Sequence, residues 1–291
     1  MDIFIHIPKT SGSTIRSVIS RQYGHESVMY FEPKVHHDDA LYRETLQSGL
    51  EKKEVKLLTG HHKFGVHRFM DEPCSYFAFV RDPVDRALSD FFYAYSYPHH
   101  RFRSEIIDRK IDVYEFISSA KFVAGDEQTD FIFGRPCNSP NLNLDEHMAT
   151  HNMVVGVTGS FDASLMVLAK RFGWAPPLYM NRNVTEISTE HRRLRERCKE
   201  WATDNLKDQF QVDLELYDKC NSNLKSIAQG YGRKFEAAVD GLREIRLHAE
   251  AHLPDAAYQR YEFNGDDVRE VFDKYKGSSD YRVIQDFLSS E

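Results

Sequence analysis

Five short apolar runs punctuate the first 160 residues: Ile3–Ile7, Ser27–Phe31, Val55–Gly60, Ser75–Val80 and Met153–Val157. Each is apolar on both faces, as in a parallel strand covered by helices on either side. Between them, helical spacing predicts helices over 13–22, 38–50 and 83–97. In the last of these, Val84, Ala87, Leu88, Phe91, Phe92 and Tyr95 form one continuous stripe. Such alternation predicts an α/β fold of three layers, α/β/α, with a central, mostly parallel sheet and crossover helices. Beyond about residue 160 the pattern becomes helical, over Phe161–Phe172, His191–Thr203 and Asp208–Gln229. After Gly230-Tyr231-Gly232 a further helix, 234–252, keeps Phe235, Val239, Leu242 and Ile245 on one face, and Pro254 stops it. The expected organisation is one domain over 1–229, with 230–291 as a helical C-terminal appendage that is not an independent unit. There is no internal repeat or low-complexity run.

Composition narrows the class. A chain of 291 residues with 41% hydrophobic and 13% aromatic content buries a sizeable core and is not a disordered polymer. The net charge of −7 is unevenly spread. Residues 1–110 carry 16 Lys/Arg against 15 Asp/Glu, the remainder 22 against 30, and nine of the fourteen histidines fall by position 100. The N-terminal part is therefore the better home for an anionic ligand, and nothing reads as the strongly basic face of a nucleic-acid binder. Cys74, Cys137, Cys198 and Cys220 are scattered without a CxxC pair and read as free thiols of a reducing compartment. No run of eighteen apolar residues predicts a transmembrane segment. With Met1 as the native start, the first strand leaves no room for a signal peptide, and the expected location is cytoplasmic.

The chemistry collects at strand ends. Pro8-Lys9-Thr10-Ser11-Gly12-Ser13-Thr14 joins the first strand to the first helix, the arrangement in which backbone N–H groups at a helix N-terminus hold phosphate. The usual nucleotide loop, G-x-x-x-x-G-K-[ST], ends on its lysine; here Lys9 opens the loop. A second anion site is suggested by Arg81, at the end of the strand Ser75–Val80, and Ser89, nearly two turns into the next helix. Alone, this pair reads better as an arginine neutralised by a nearby carboxylate and a solvated serine. Beside Pro8–Thr14 it suits a ligand with two separated phosphates. The third element is Thr59-Gly60-His61-His62-Lys63-Phe64-Gly65-Val66-His67. Its His61 lands on the same carboxyl edge, as the side chain best poised for proton transfer near neutrality. A metal site is disfavoured there, because His61, His62 and His67 lack ligand spacing and no carboxylate or cysteine is near in sequence.

These segments resemble a known family. F-I-H-I-P-K-T-S-G-S-T, then T-G-H-H, then F-V-R-D-P-V-D-R-A-L-S are similar to the P-loop-like sulfotransferases that use 3′-phosphoadenosine 5′-phosphosulfate (PAPS). The resemblance is to the carbohydrate group containing heparan sulfate 2-O-sulfotransferase and its bacterial cousins. It runs more weakly through Val155–Asp162, Asn181–Thr185 and Leu216-Tyr217, and spans residues 2–229. It implies that Lys9, Thr10, Ser11, Gly12, Ser13 and Thr14 bind the 5′-phosphosulfate, and that Arg81 and Ser89 bind the 3′-phosphate. It further implies that Lys9 stabilises the leaving oxygen, that His61 takes the acceptor's proton, and that no metal is required. Two stretches depart from the family. Asp126-Glu127-Gln128-Thr129-Asp130 has an aspartate where an arginine is common, and Gly159-Ser160 replaces an acidic-basic pair.

Two other classes stay open on sequence alone. A P-loop-type small-molecule kinase using ATP–Mg²⁺ shares the strand–loop–helix geometry, but its lysine would be misplaced and no strand-ending aspartate for magnesium is evident. A non-catalytic nucleotide-binding module would have no need to keep Lys9, His61, Arg81 and Ser89 together. The acceptor is a hydroxyl of a carbohydrate or glycoside by resemblance, with a lipid or small metabolite as alternatives. Arg182 and Asn183 are candidates for contact with the adenine or the acceptor. Phe91–His100 reads either as an acceptor lining or as a helix end packed on the core, and the tail as a cover for the site or a homodimer contact.

Overall fold

The computed structural model describes residues 1–32, 39–51, 54–135, 143–181, 189–252 and 271–290. Its centre is a five-stranded, wholly parallel sheet of β1 (Asp2–Ile5), β2 (Val28–Tyr30), β3 (Leu57–Gly60), β4 (Ser75–Val80) and β5 (Met153–Val157). The order is β2-β3-β1-β4-β5. From central β1 the chain runs to the edge strand β2, returns inward through β3, then crosses to β4 and β5 on the other side, and in open α/β sheets ligands bind beyond the carboxyl ends at such a reversal. Ile5 lies opposite Gly60 of β3 and Ala78 of β4, so the loops that follow these three strands leave the sheet at one edge. Gly60 is needed there. Its φ is 156°, and a Cβ would come within 1.9 Å of the Phe31 carbonyl.

Helices α1 (Gly12–Tyr23), α2 (Asp39–Leu50) and α3 (Pro83–Ser96) follow β1, β2 and β4, which gives the expected α/β layering. The strands are buried because both faces are covered: Ile3, Phe4, Ile5, Phe77 and Phe79 are inaccessible, and Phe4 stacks on Phe77 at 5.0 Å. Expected strand limits differ by one or two residues. β1 stops at Ile5 rather than Ile7, because the Ile7 N–H turns back to the Ile5 carbonyl at 3.2 Å. The run Ser27–Phe31 is a strand only over Val28–Tyr30, after a 3₁₀ turn, and Val55–Gly60 only from Leu57.

Between β4 and β5 the chain adds four short helices that hydrophobic patterning does not predict: α4 (Arg103–Asp108), α5 (Val113–Ser118), α6 (Glu127–Phe133) and α7 (Leu144–Thr150). Helices of six or seven residues span less than two turns, too short to display a period. α4 and α5 build, with α3 and with α9 (Thr189–Asn205), a second apolar cluster that includes Leu88, Phe91, Phe116, Cys198 and Phe210. α8 (Phe161–Phe172), α10 (Gln211–Tyr231), α11 (Arg233–Ala251) and α12 (Ser279–Ser289) complete the described elements. Phe235, Leu242 and Ile245 of α11 and Phe287 of α12 join the sheet's own core, and Lys170 of α8 donates to the Phe287 carbonyl at 3.1 Å. Cys74, Cys198 and Cys220 are free thiols, the last two buried. Among the described residues no helix is long and apolar enough to cross a membrane.

Candidate active site

The loop between β1 and α1 is held in an uncommon conformation. Lys9 and Ser11 have φ of 66° and 68°, left-handed values that cost of order 1–3 kcal/mol each in a non-glycine residue and concentrate at ligand sites. Thr10, fully buried between them, pins the loop by donating its hydroxyl to the Ile7 carbonyl at 2.9 Å. Ser11 is the N-cap of α1, yet its side chain makes no capping hydrogen bond, and α1 has no acidic residue in its first turn. The N–H groups of Thr14 and Ile15 donate to the Ser11 carbonyl at 3.0 and 3.1 Å. Thr14's backbone donor is thus engaged within the loop.

His61 follows β3 directly. Its Nδ1 lies 2.8 Å from the His6 carbonyl, which can only accept, so Nδ1 carries a proton and the tautomer with the lone pair on Nε2 is the one this contact selects. The His6 ring stacks on His61 with centroids 4.3 Å apart. It also fills the space beside Gly12, where a Cβ would come within 1.6 Å of Nε2. His6 therefore ties the histidine to the anion loop. Burial, followed by the fields of His61, Arg16 and His62, pushes its pKa down to about 3, so it stays neutral. His62 points the other way, into the core; burial pushes its pKa down to about 4.

Arg81 leaves β4 and donates Nη1 to the Lys9 carbonyl at 3.2 Å, joining the two predicted anion loops. Its backbone is bracketed by Gln128 of α6. Arg81 N donates to Gln128 Oε1, and Gln128 Nε2 donates to the Arg81 carbonyl, both at 2.8 Å. Behind Gln128 stands Asp213 of α10, fully buried. One carboxylate oxygen accepts from the Gln128 N–H at 3.1 Å; the other accepts from the Thr129 N–H and hydroxyl at 2.9 and 2.7 Å. Burial pushes the Asp213 pKa up to about 6 against the opposing pull of these donors and of Arg86. Burial likewise brings Arg81 down to about 10, and the field of Arg195 on α9 is the next cause. Arg195 and Lys199 reach Asp85 at 3.5 and 2.7 Å. Arg81, Arg195 and Lys199 thus gather around one end of α3, with Asp82 and Asp85 among them. Ser89 is half-buried on the same helix.

Lys9 is largely buried and its Nζ lies 3.8 Å from the ring centroid of Tyr93. Burial pushes its pKa down to about 8, with Asp90 opposing and Arg81 reinforcing the shift. Asp130, which stands where the family pattern has arginine, forms an ion pair with Lys63. The Phe91–His100 segment divides: Phe91 packs in the second core, whereas Tyr93, Tyr95 and Tyr97 are exposed. Arg182 and Asn183 lie outside the described residues. The structure brings Lys9, Thr10, Ser11, Gly12, Ser13, Thr14, His61 and Arg81 to one sheet edge. It adds His6, Gln128, Asp213 and Arg195, which motif reading misses. Gln128 carries a faint signal within the Gln-Thr pair; buried Asp213, in an ordinary amphipathic helix, carries none.

The fold is an α/β architecture in which a helix N-terminus flanked by lysine, arginine and histidine lies where the strand order reverses. The sulfotransferase family model matches residues 3–198, about two thirds of the chain, and the protein belongs to the sulfotransferase family. No curated protein matches it. Membership makes it a transferase of sulfuryl groups.

Proposed function

We propose that this sulfotransferase moves the sulfuryl group of PAPS to a hydroxyl of a carbohydrate or glycoside, by in-line transfer with His61 as base. One contact carries the reading: the Arg81 guanidinium on the Lys9 carbonyl at 3.2 Å. It supports reading the loop after β1 and the Arg81 end of β4 as neighbouring anion sites, as a nucleoside with 5′- and 3′-phosphates would require. The first turn of α1 would hold the 5′-phosphate, with Ser13 and Thr14 hydroxyls beside it. Arg81 and Ser89 would hold the 3′-phosphate, in a field strengthened by Arg195 and Lys199.

In the transfer, the acceptor hydroxyl gives its proton to His61 Nε2 as its oxygen attacks sulfur. The bond from sulfur to the bridging oxygen breaks, and its electron pair leaves on the 5′-phosphate. The products are a sulfate ester and adenosine 3′,5′-bisphosphate. The Lys9 ammonium stabilises the charge growing on the bridging oxygen, an interaction stronger in the transition state than in the ground state. The His6 carbonyl supports the base assignment, since it holds His61 in the tautomer that leaves Nε2 open. The unit is residues 1–229, with the helices after 230 as a dependent appendage; burial of Phe235 and Phe287 in the sheet's core supports this.

The test pairs calorimetry with transfer from radiolabelled PAPS to a panel of glycans, lipids and phenols. Adenosine 3′,5′-bisphosphate is expected to bind wild type and His61→Ala alike, and ATP–Mg²⁺ neither. Turnover of His61→Ala should fall about 10²–10⁴-fold. Undiminished turnover would remove His61 from the mechanism, and a preference for ATP–Mg²⁺ would overturn the donor.

A further inference from the structure

Lys9 is held at both of its ends. Its carbonyl accepts from Arg81 Nη1 at 3.2 Å, and its backbone is set at a φ of 66°. Its ammonium lies over Tyr93, in the last turn of α3, 3.8 Å from the ring centroid. That ring is itself fixed. Tyr97 stacks on it, 9° from parallel with centroids 5.2 Å apart, and His100 stands edge-to-face at 5.5 Å. The Tyr97 N–H donates to the Tyr93 carbonyl at 2.8 Å, which ties both rings to the end of the helix. Among the described residues no carboxylate forms an ion pair with Lys9; Asp90 acts on it through its field alone.

We propose that Tyr93 is a positioning residue for the transfer: its ring orders the Lys9 ammonium and keeps it an unneutralised cation. A lysine stem has four rotatable carbons, and fixing its head costs rotamer freedom that would otherwise be lost during the reaction. A carboxylate could fix it too, but the resulting ion pair would present little net charge to an oxygen becoming negative. An aromatic face attracts the cation through its quadrupole and leaves the charge whole. The burial of Lys9 strengthens that attraction by removing competing water. Preorganised charge of this kind acts where charge develops, at no cost in reorganisation. Tyr93 acts through Lys9, and the ring rather than the hydroxyl is the active part. What Lys9 does in the reaction rests on the sulfuryl-transfer reading; that Tyr93 orders it does not.

The experiment is a double-mutant cycle on the full chain, read by turnover and by NMR. Turnover uses radiolabelled PAPS and the acceptor that wild type sulfates fastest. Tyr93→Leu should lower kcat about five- to thirtyfold, the scale of one desolvated cation–π contact. Tyr93→Phe, which keeps the ring, should recover most of that loss. In a Lys9→Met background, Tyr93→Leu should cost less than about twofold more, because the cation it orders is gone. A purely structural defect would multiply the two losses instead. For NMR the chain carries ¹³C-labelled lysine, and the Lys9 ε-methylene signal is assigned by its loss in Lys9→Met. Protons over an aromatic face are shielded, so this signal should lie upfield, return to the ordinary lysine position in Tyr93→Leu, and stay upfield in Tyr93→Phe. An unshifted Lys9 signal, wild-type kcat in Tyr93→Leu, equal loss in both backgrounds, or no recovery in Tyr93→Phe would overturn the proposal. Wild-type kcat in Lys9→Met would instead remove Lys9 from the transfer, and the positioning role with it, whatever the NMR signal shows.

Discussion

The N-termini of α1 and α6 pose the same physical problem and receive opposite solutions. Every helix begins with N–H groups that lack intrahelical partners and with a partial positive charge. At α6 the protein supplies its own anion. Asp213, contributed from α10, accepts from the Gln128 and Thr129 N–H groups, and the helix start becomes a sealed joint. α3 is closed similarly, by Asp82 accepting from the Asp85 N–H at 2.8 Å. At α1 the first turn holds no acidic residue, Ser11 does not cap, and the loop is held in left-handed geometry. The sealed end also serves the open one, because the Gln128 that Asp213 fixes is the residue that brackets Arg81. A helix start built without a carboxylate cap is thus a local choice rather than a habit of the chain.

The most direct way to break the contrast is to give α1 a carboxylate of its own. Ser11→Asp should keep or slightly raise the melting temperature, since aspartate tolerates the left-handed conformation and caps well. It should weaken adenosine 3′,5′-bisphosphate binding by about 10²-fold or more, because juxtaposed like charges cost several kcal/mol. Unaltered affinity by calorimetry would mean that the phosphate does not sit at this helix.

Opening the sealed end should lower stability instead of keeping it. Asp213→Ala leaves buried donors unpaired and is expected to cost about 2–4 kcal/mol in urea unfolding. It should weaken the bisphosphate through the loss of Gln128 support under Arg81. A variant that unfolds as wild type would show that the joint carries no stability.

A smaller effect tests the cation at the loop's mouth. Burial holds the Lys9 pKa at about 8, below its ordinary value of 10.5. The ammonium is therefore present at pH 7 and is lost as pH rises through about 8, while the ligand's phosphates stay fully ionised. Bisphosphate affinity should fall toward about tenfold per pH unit above that point. Lys9→Arg, which keeps its charge throughout, should flatten this limb. An alkaline limb identical in that variant would assign the titration to another group.

Much of this was legible in the residues. β4, β5 and α8 lie where periodicity puts them, and a loop of small residues between an apolar strand and an amphipathic helix announces an anion site. The four short helices after α3 were not legible, since less than two turns display no period. Nor were Gln128 and Asp213 as supports of Arg81, which they join from 47 positions along the chain, directly, and from α10, through Gln128. The Phe91–His100 run was ambiguous for a further reason. Phenylalanine and tyrosine look alike in a hydrophobic pattern, and only packing separates Phe91, in the core, from Tyr93 and Tyr97, on the surface.

By itself the sequence determined the parallel α/β class, the strand ends that carry Lys9, His61 and Arg81, and the family to which those motifs belong. These are local properties: apolar runs, a loop composition and short spacings. The tertiary structure decided which carboxylate closes which helix, that His6 fills the place beside Gly12 and sets the tautomer of His61, and that Lys9 rests on Tyr93. Each of these is a contact between segments distant in the chain, set by strand order, register and packing, and no single segment encodes its partner.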